Sequence, residues 1–282
     1  PLDEAGDPTE KFNAFREVIA KYAPVPTEPL PARAAKFTRE EVALTESIGL
    51  LEGAPVLGDA VASNRPLTME ELGQGYGFVL YETNLPHAGP ALLLLEQVRD
   101  RAQVFLDGQP VGVLERESHE HSLTFLVPRP GSVLTILVEN QGRVNYGPGI
   151  HDRKGLLGRV LLNGFPLVGW TSRPLPLTTL EDLPFGTGSV APTGPAFHRG
   201  TFEADRTADT FLHLDGWTKG VAWVNGFALG RYWSRGPQRS LYVPGPVLRT
   251  GTNEVVVLEL HAPDHARTVA FRETPDLGPV ED

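Results

Sequence analysis

Two tight turns with matching surroundings constrain the fold of this chain more than any other feature. Asp107-Gly108 and Asn225-Gly226 each lie between apolar segments and are 118 residues apart. Such dipeptides between apolar runs are the strongest short-range signal for a two-residue β-hairpin. Each hairpin is followed by a second apolar segment, 133–139 or 253–259, at a closely similar spacing. The sequence therefore predicts two copies of one β-sandwich unit.

Further strands are predicted where short apolar runs lie between turn residues. The predicted strands of the first half are 42–46, 78–83, 91–96, 102–106, 123–127 and 133–139. Residues 40–51 also fit a short helix, so the first of these strands has an alternative. In segment 253–259 both faces are mainly apolar, which is typical of a central strand covered on both sides.

One amphipathic helix is predicted before the strands. Asp7-Pro8 is typical of a helix start, with Asp as the N-cap. Phe12, Phe15, Ile19 and Tyr22 then recur at helical spacing and form one apolar face. The helix ends before Pro24, and a Pro-rich linker follows.

Composition excludes several classes of function. The net charge of -10 argues against a phosphate-binding surface, so we expect no nucleic-acid partner. The longest purely apolar run, 91–95, is far shorter than the roughly 20 residues of a membrane span, so we expect no membrane partner. The chain has no cysteine, which excludes disulfides and cysteine-ligated metals but leaves the compartment open.

Several stretches resemble the C-terminal all-β region of glycoside hydrolase family 35, a family of retaining β-galactosidases. The galactose-binding-like domain of that family is resembled by GWTKGVAWVNGF at 216–227, GRYW at 230–233, GPQ at 236–238 and LYVP at 241–244. Its first all-β domain is resembled by MEELGQ at 69–74, YG at 76–77, NQGRVNYG at 140–147 and DRKG at 152–155. Residues 1–6 and the helix after them are similar to the last segment of the family's catalytic barrel.

The resemblance implies an all-β fold of two jelly-roll-like β-sandwiches in tandem, preceded by one orphan helix from the end of a (β/α)8 barrel. The expected division is a terminal barrel helix at 1–23, a Pro-rich linker at 24–36, a first β-sandwich at 37–182 and a galactose-binding-like β-sandwich at 183–282. The two catalytic glutamates of the family belong to the barrel, which is missing here. No catalytic residue is therefore carried over, and the missing barrel is the expected partner.

Aromatic and polar residues near the GRYW stretch could contact a galactoside. The candidate carbohydrate-binding residues are Trp217, Arg231, Tyr232, Trp233, Arg235 and Gln238. The alternative for the aromatics is core packing, which is the favoured interpretation for the mid-strand residue Trp223. His119 and His121 share one face of a possible strand, but no third ligand has suitable spacing, so no metal and no cofactor are predicted.

The leading functional hypothesis is a non-catalytic part of a β-galactosidase that braces the barrel and shapes the rim of its active site. Two alternatives remain. One is a stand-alone carbohydrate-binding module. The other is a protein-interaction or homo-oligomerisation module that uses the exposed apolar face of the helix.

Overall fold

The computed structural model describes residues 1–30, 32–186, 194–261 and 267–278. Its helices are α1 Glu10–Ile19 and α2 Leu50–Leu57, and short 3₁₀ turns lie at Pro148–His151 and Gly245–Val247. Its strands are β1 Arg39–Ala43, β2 Glu46–Gly49, β3 Val61–Ser63, β4 Phe78–Asn84, β5 Gly89–Arg99, β6 Arg101–Leu106, β7 Gln109–Glu115, β8 Ser122–Val127, β9 Val133–Glu139, β10 Gly155–Leu162, β11 Phe165–Pro166, β12 Trp170–Leu175, β13 Ala196–Ala204, β14 Thr210–His213, β15 Lys219–Val224, β16 Phe227–Trp233, β17 Ser240–Val243, β18 Gly251–Glu259 and β19 Thr268–Arg272. No helix among the described residues is long and apolar enough to cross a membrane.

The chain forms two compact units, and each is a β-sandwich. The first sandwich, Gly49–Pro184, has a six-stranded sheet in the order β3-β12-β4-β9-β6-β7 and a four-stranded sheet in the order β11-β10-β5-β8. The second sandwich comprises Pro1–Ile48 and Phe185–Asp282. Its sheets have the orders β16-β15-β18-β13-β2 and β1-β19-β14-β17. The all-β prediction is thus confirmed.

The predicted repeat is confirmed by the order of the central strands, which is β4-β9-β6-β7 in the first sandwich and β13-β18-β15-β16 in the second. The two hairpin turns also make the same bonds. Asp107 N donates to Val133 O, and Val133 N donates back to the Asp107 carboxylate at 2.8 Å. In the second turn Asn225 N donates to Glu254 O, and Glu254 N donates back to the Asn225 side-chain oxygen at 2.9 Å. Both turns therefore connect their hairpin to the neighbouring strand.

Residues 37–48 were expected to begin the first sandwich, but the structure places them in the second, because they pair with its strands. Val42 of β1 lies opposite Val269 of β19, and β2 joins the sheet beside β13. Phe37 and Val42 are buried in the same core as Phe271. These strands lie far from their partners in sequence, β1 from β19 and β2 from β13, and strand pairing at such distances leaves no local signal.

Each sandwich encloses its core between its two sheets. In the first, Tyr81, Leu93 and Ile136 are fully buried. In the second, Leu212, Val255 and Val257 are fully buried. Burying one such aliphatic side chain stabilises the fold by roughly 1.5–3 kcal/mol.

Helix α1 differs from its prediction at its start. Thr9 is the N-cap, and its hydroxyl accepts a hydrogen bond from Phe12 N. Asp7, the expected cap, forms a 2.7 Å ion pair with the buried Lys36. None of the residues of α1 is buried, and Phe15 and Ile19 are about half exposed, at 49% and 51%. Apart from the half-buried Phe12, the apolar face of α1 is therefore exposed.

Candidate functional site

Two of the candidate sugar-contacting aromatics, Trp217 and Tyr232, lie in the core of the second sandwich. They are 4% and 2% exposed. Trp217 Nε1 donates to Thr268 O at 2.8 Å, and its ring packs edge-on against His198 with 5.3 Å between centroids. Tyr232 Oη donates to Leu258 O at 3.1 Å. Neither ring face is open for stacking on a sugar, and both residues supply packing.

Trp233 is half-buried, and cations lie over its ring. Lys219 Nζ is 4.1 Å and Arg235 Cζ 4.9 Å from the ring centroid, which are distances for cation–π attraction. Arg231 and Gln238 are exposed and, like Arg235, lie outside the cavity that the three aromatics border. The structure therefore brings the candidate aromatics together at this cavity, whereas the candidate polar residues lie outside it. Trp223 is 3% exposed, as expected for a core residue.

A cavity of about 260 Å³ opens where β14 and β16 end in the second sandwich. Trp217, Tyr232 and Trp233 border it, together with four polar residues that the sequence did not single out: Asp215, Ser234, Arg239 and Asp276. Ser234 and Arg239 flank the GPQ stretch, so their loop was a recognisable candidate. Asp215 and Asp276 come from distant segments and carried no local signal.

Behind the cavity, the carboxylate of Glu259 is fully buried at the end of β18. It accepts hydrogen bonds from Thr218 N at 2.7 Å and from His261 N at 2.8 Å. The Tyr232 hydroxyl lies 3.1 Å from this carboxylate and shares its one hydrogen between Glu259 and Leu258 O. Burial raises the pKa of Glu259 because it disfavours the charged carboxylate. Burial also raises the pKa of Tyr232 well above its ordinary value, and the neighbouring carboxylate adds to this effect. The cluster holds β15, β16 and β18 in place beneath the cavity.

The first sandwich has a larger cleft, of about 950 Å³, at the corresponding strand ends. At its base Lys154, which is 1% exposed, donates to both carboxylate oxygens of Asp100 at 2.8 and 2.6 Å. Arg116 donates to Asp152 at 2.6 Å and to Asp100 at 3.3 Å. The hydrogen bond from Arg116 lowers the pKa of Asp152. Oppositely charged groups thus neutralise one another at the base of this cleft.

Two loops beside this cleft, residues 66–77 and 140–154, are fixed to each other and are called the tethered loops. Arg143 donates to Glu70 at 2.7 Å and to Gly75 O at 2.9 Å, and Asn140 donates to the same carbonyl at 3.1 Å. Lys154 N also donates to Glu70 at 3.2 Å. Although burial acts to raise it, the pKa of Glu70 is lowered by these bonds. The stretches that resemble a first all-β domain therefore converge at one place.

Within the first of these loops, Thr68 and Glu71 form a capping box. Glu71 accepts from Thr68 N at 2.9 Å, and the Thr68 hydroxyl accepts from Glu71 N at 3.3 Å. Arg65 donates to both carboxylate oxygens of Glu71, which lowers the pKa of Glu71 to about 2. The loop conformation is thereby determined by its own side chains.

The tethered loops nevertheless expose large apolar side chains. Tyr146 is 89% exposed, and Tyr76 and Ile150 are 59% and 52% exposed. Large apolar side chains exposed on loops that hydrogen bonds hold in place are typical of an interaction site. This surface is the strongest candidate in the first sandwich.

The remaining sequence candidates, His119 and His121, both line the cleft of the first sandwich. His119 and His121 are exposed in the connection before β8. Among the described residues, no group of three or more His, Asp or Glu side chains is arranged to hold a metal ion.

Family models match two parts of the chain. Residues 66–176 match a model described as "Beta-galactosidase, first all-beta domain", and residues 195–253 match one described as "Beta-galactosidase, galactose-binding domain". The two matches follow each other in the order that the sequence resemblance implied.

Curated relatives agree with these matches. The chain is 43% identical over 245 residues to a β-galactosidase of Xanthomonas manihotis, covering 86% of this chain and 40% of that protein. It is 41% identical to the β-galactosidase of Canis lupus familiaris, covering 99% of this chain and 46% of that protein. It is 40% identical to the β-galactosidase of Homo sapiens, covering 92% of this chain and 42% of that protein. The chain thus spans less than half the length of the relatives it matches, and it carries the first all-β domain and the galactose-binding domain found in β-galactosidases.

Proposed function

We propose that this chain is the non-catalytic part of a retaining β-galactosidase and that it braces the catalytic barrel. The observation that supports the proposal best is the surface of the tethered loops, which displays Tyr76, Tyr146 and Ile150 on a fixed backbone. Exposed apolar side chains on a hydrogen-bonded frame are suited to contact with a partner that must be held in a fixed position.

The second sandwich offers an independent argument for such a partner. Phe15, Val18, Ile19 and Tyr22 on or just after α1 are 49–87% exposed and lie at helical spacing. The outer helices of a barrel bury such a stripe against the barrel strands. A helix with this exposed apolar stripe is suited to packing against the strands of a barrel.

The chemistry of retaining glycosidases supports a non-catalytic role for this chain. Retaining glycosidases use two carboxyl groups about 5–5.5 Å apart, one as nucleophile and one as acid and base. In the resemblance, both belong to the barrel, and no position of this chain matches either one. The contribution of this chain to hydrolysis is therefore support of the barrel and, through its loops, shaping of the active-site rim.

The test joins this chain to a catalytic barrel. The segment of the Xanthomonas manihotis β-galactosidase that this chain does not match is fused ahead of Pro1, and hydrolysis of a chromogenic β-galactoside is measured. We expect saturable hydrolysis by the fusion and none by the 282-residue chain alone. Hydrolysis by the pure chain, or a soluble barrel segment that is equally active without the chain, would refute the proposal.

A further inference from the structure

Strand β8, Ser122–Val127, is an edge of the four-stranded sheet in the first sandwich. Edge strands are normally protected against pairing with other chains by short length, charged side chains, proline or β-bulges. The edges β2, β3, β11 and β17 are two to four residues long. The edges β1, β7 and β16 have an irregular register and at least one charged side chain. In contrast, β8 has six residues, no charge, no proline and an unbroken register with β5, so it is the least protected of the described edges.

The open side of β8 carries main-chain groups of every second residue. Leu95 N donates to His121 O at 2.8 Å, which continues the register of β5 and β8 and makes these two residues a hydrogen-bonded pair. In an antiparallel ladder such pairs recur at every second residue, so the next one on β8 is Leu123. No described strand pairs with the other side of β8. The residues whose N–H and C=O groups point to that open side are Ser122, Thr124 and Leu126.

The side chains of these three residues are also accessible. Ser122 and Thr124 are exposed, and Leu126 is 68% exposed. An incoming strand therefore meets free main-chain donors and acceptors without displacing a covering element. Addition of a strand to such an edge is a common mode of protein recognition.

A second copy of β8 fits this edge in the antiparallel orientation. With a two-fold axis at Thr124, this residue lies opposite Thr124 of the second copy, and Ser122 lies opposite Leu126. All three residues with free main-chain groups then fall in hydrogen-bonded pairs, which together exchange about six bonds. Opposed threonines are a favourable cross-strand pair. One uncharged segment thus supplies both halves of the match.

The charges that flank β8 favour the same arrangement. Glu120 precedes the strand and Arg129 follows it, and both are exposed. The acid near Arg129 in its own chain is Asp107, at 3.9 Å. Antiparallel pairing brings Glu120 of each copy towards Arg129 of the other, whereas parallel pairing would bring like charges together. The ends of the strand are therefore complementary under a two-fold axis.

We propose that two copies of this chain form a two-fold dimer in which their β8 strands pair antiparallel and join the two four-stranded sheets into one. The inference does not depend on the bracing role, because β8 lies outside the tethered loops.

The test is sedimentation equilibrium of the 282-residue chain between about 1 and 300 µM, where we expect a reversible dimer with a dissociation constant of roughly micromolar order. Thr124→Lys places two ammonium groups opposite each other at the axis and should raise that constant tenfold or more. Thr201→Lys is the matched control, because Thr201 is also exposed but lies on β13 between two paired strands, opposite Glu254. It should leave the constant within about twofold, and both variants should keep the wild-type melting temperature.

A mixture of two variants tests the register. Thr124→Lys combined with Thr124→Glu should restore the dimer, because opposite charges then face each other across the axis. A wild-type chain that stays monomeric throughout, a Thr124→Lys variant that dimerises as wild type does, or a mixture that stays monomeric would overturn the proposal. Dimerisation that survives Thr124→Lys but is lost in Ile19→Lys would place the interface on helix α1 and would also overturn it.

Discussion

His198 on β13 should make the second sandwich less stable in mild acid. The ring is fully buried, and neither ring nitrogen has a hydrogen-bond partner among the described residues. Burial lowers the pKa of His198 from its ordinary value of 6.5 to about 4, and the positive charge of Arg267 adds to this effect. The folded state therefore holds the imidazole neutral at pH values where the unfolded chain binds a proton.

The sign and size of the effect follow from linkage. The contribution of the neutral His198 ring to the free energy of unfolding is complete above the unfolded pKa of 6.5. It decreases as the pH falls below 6.5, and it levels off below the folded pKa of about 4. Each pH unit between these values lowers the free energy of unfolding by about 1.4 kcal/mol. Lowering the pH from about 7.5 to about 5 should therefore reduce it by about 2 kcal/mol through this residue alone.

The assay compares wild type with His198→Leu, which removes the titrating ring. Urea unfolding of the second sandwich is followed by the fluorescence of Trp217, Trp223 and Trp233 at both pH values. Other groups, such as Glu259 with its raised pKa, titrate in both proteins and cancel in the comparison. We expect wild type to lose about 2 kcal/mol more than the variant between the two pH values. Parallel losses in the two proteins would refute the argument.

Two further predictions concern the framework of each sandwich. Lys154→Met removes the buried ammonium group that pairs with Asp100 and leaves only Arg116, at 3.3 Å, as a charged partner. We therefore expect the free energy of unfolding of the first sandwich to fall by up to about 3–5 kcal/mol in urea, and adding Asp100→Asn should recover part of it. In Gly220→Ala the new Cβ would lie 1.7 Å from Leu258 O, so we expect insoluble or unfolded protein. Gly75→Ala is the control, because its Cβ meets nothing within 4 Å, and it should keep the wild-type melting temperature. Wild-type stability of Lys154→Met, or equal melting temperatures of the two glycine variants, would contradict these arguments.

Local patterns in the sequence are sufficient to predict most of the strands and both hairpins. Asp107-Gly108 and Asn225-Gly226 adopt positive φ angles at both residues, as their turn type requires, and the strands on either side follow directly. The predicted N-cap of helix α1 lies two residues before the observed one, because Asp7 is paired with the distant Lys36 and Thr9 caps the helix. Here a tertiary contact overrode a local preference.

The cavity was not predictable in the same way. The sequence drew attention to Trp217 and Tyr232, but spacing alone did not reveal that both rings face the core. Arg239, Asp215 and Asp276 meet only because the segments before β15, before β17 and after β19 converge at one end of the sandwich. Such convergence depends on topology, which no local pattern contains.

The bracing role is tested most directly by two matched substitutions in the fusion of this chain to a barrel. Tyr146 and Phe165 are both exposed aromatics of the first sandwich, at 89% and 76%, but only Tyr146 lies on the tethered loops. The measurement is the rate of β-galactoside hydrolysis by the fusion after brief heating. The account predicts that Tyr146→Asp lowers the surviving activity while Phe165→Asp does not, with both variants of the 282-residue chain alone melting as wild type does. Equal activity of the two fusions would contradict it.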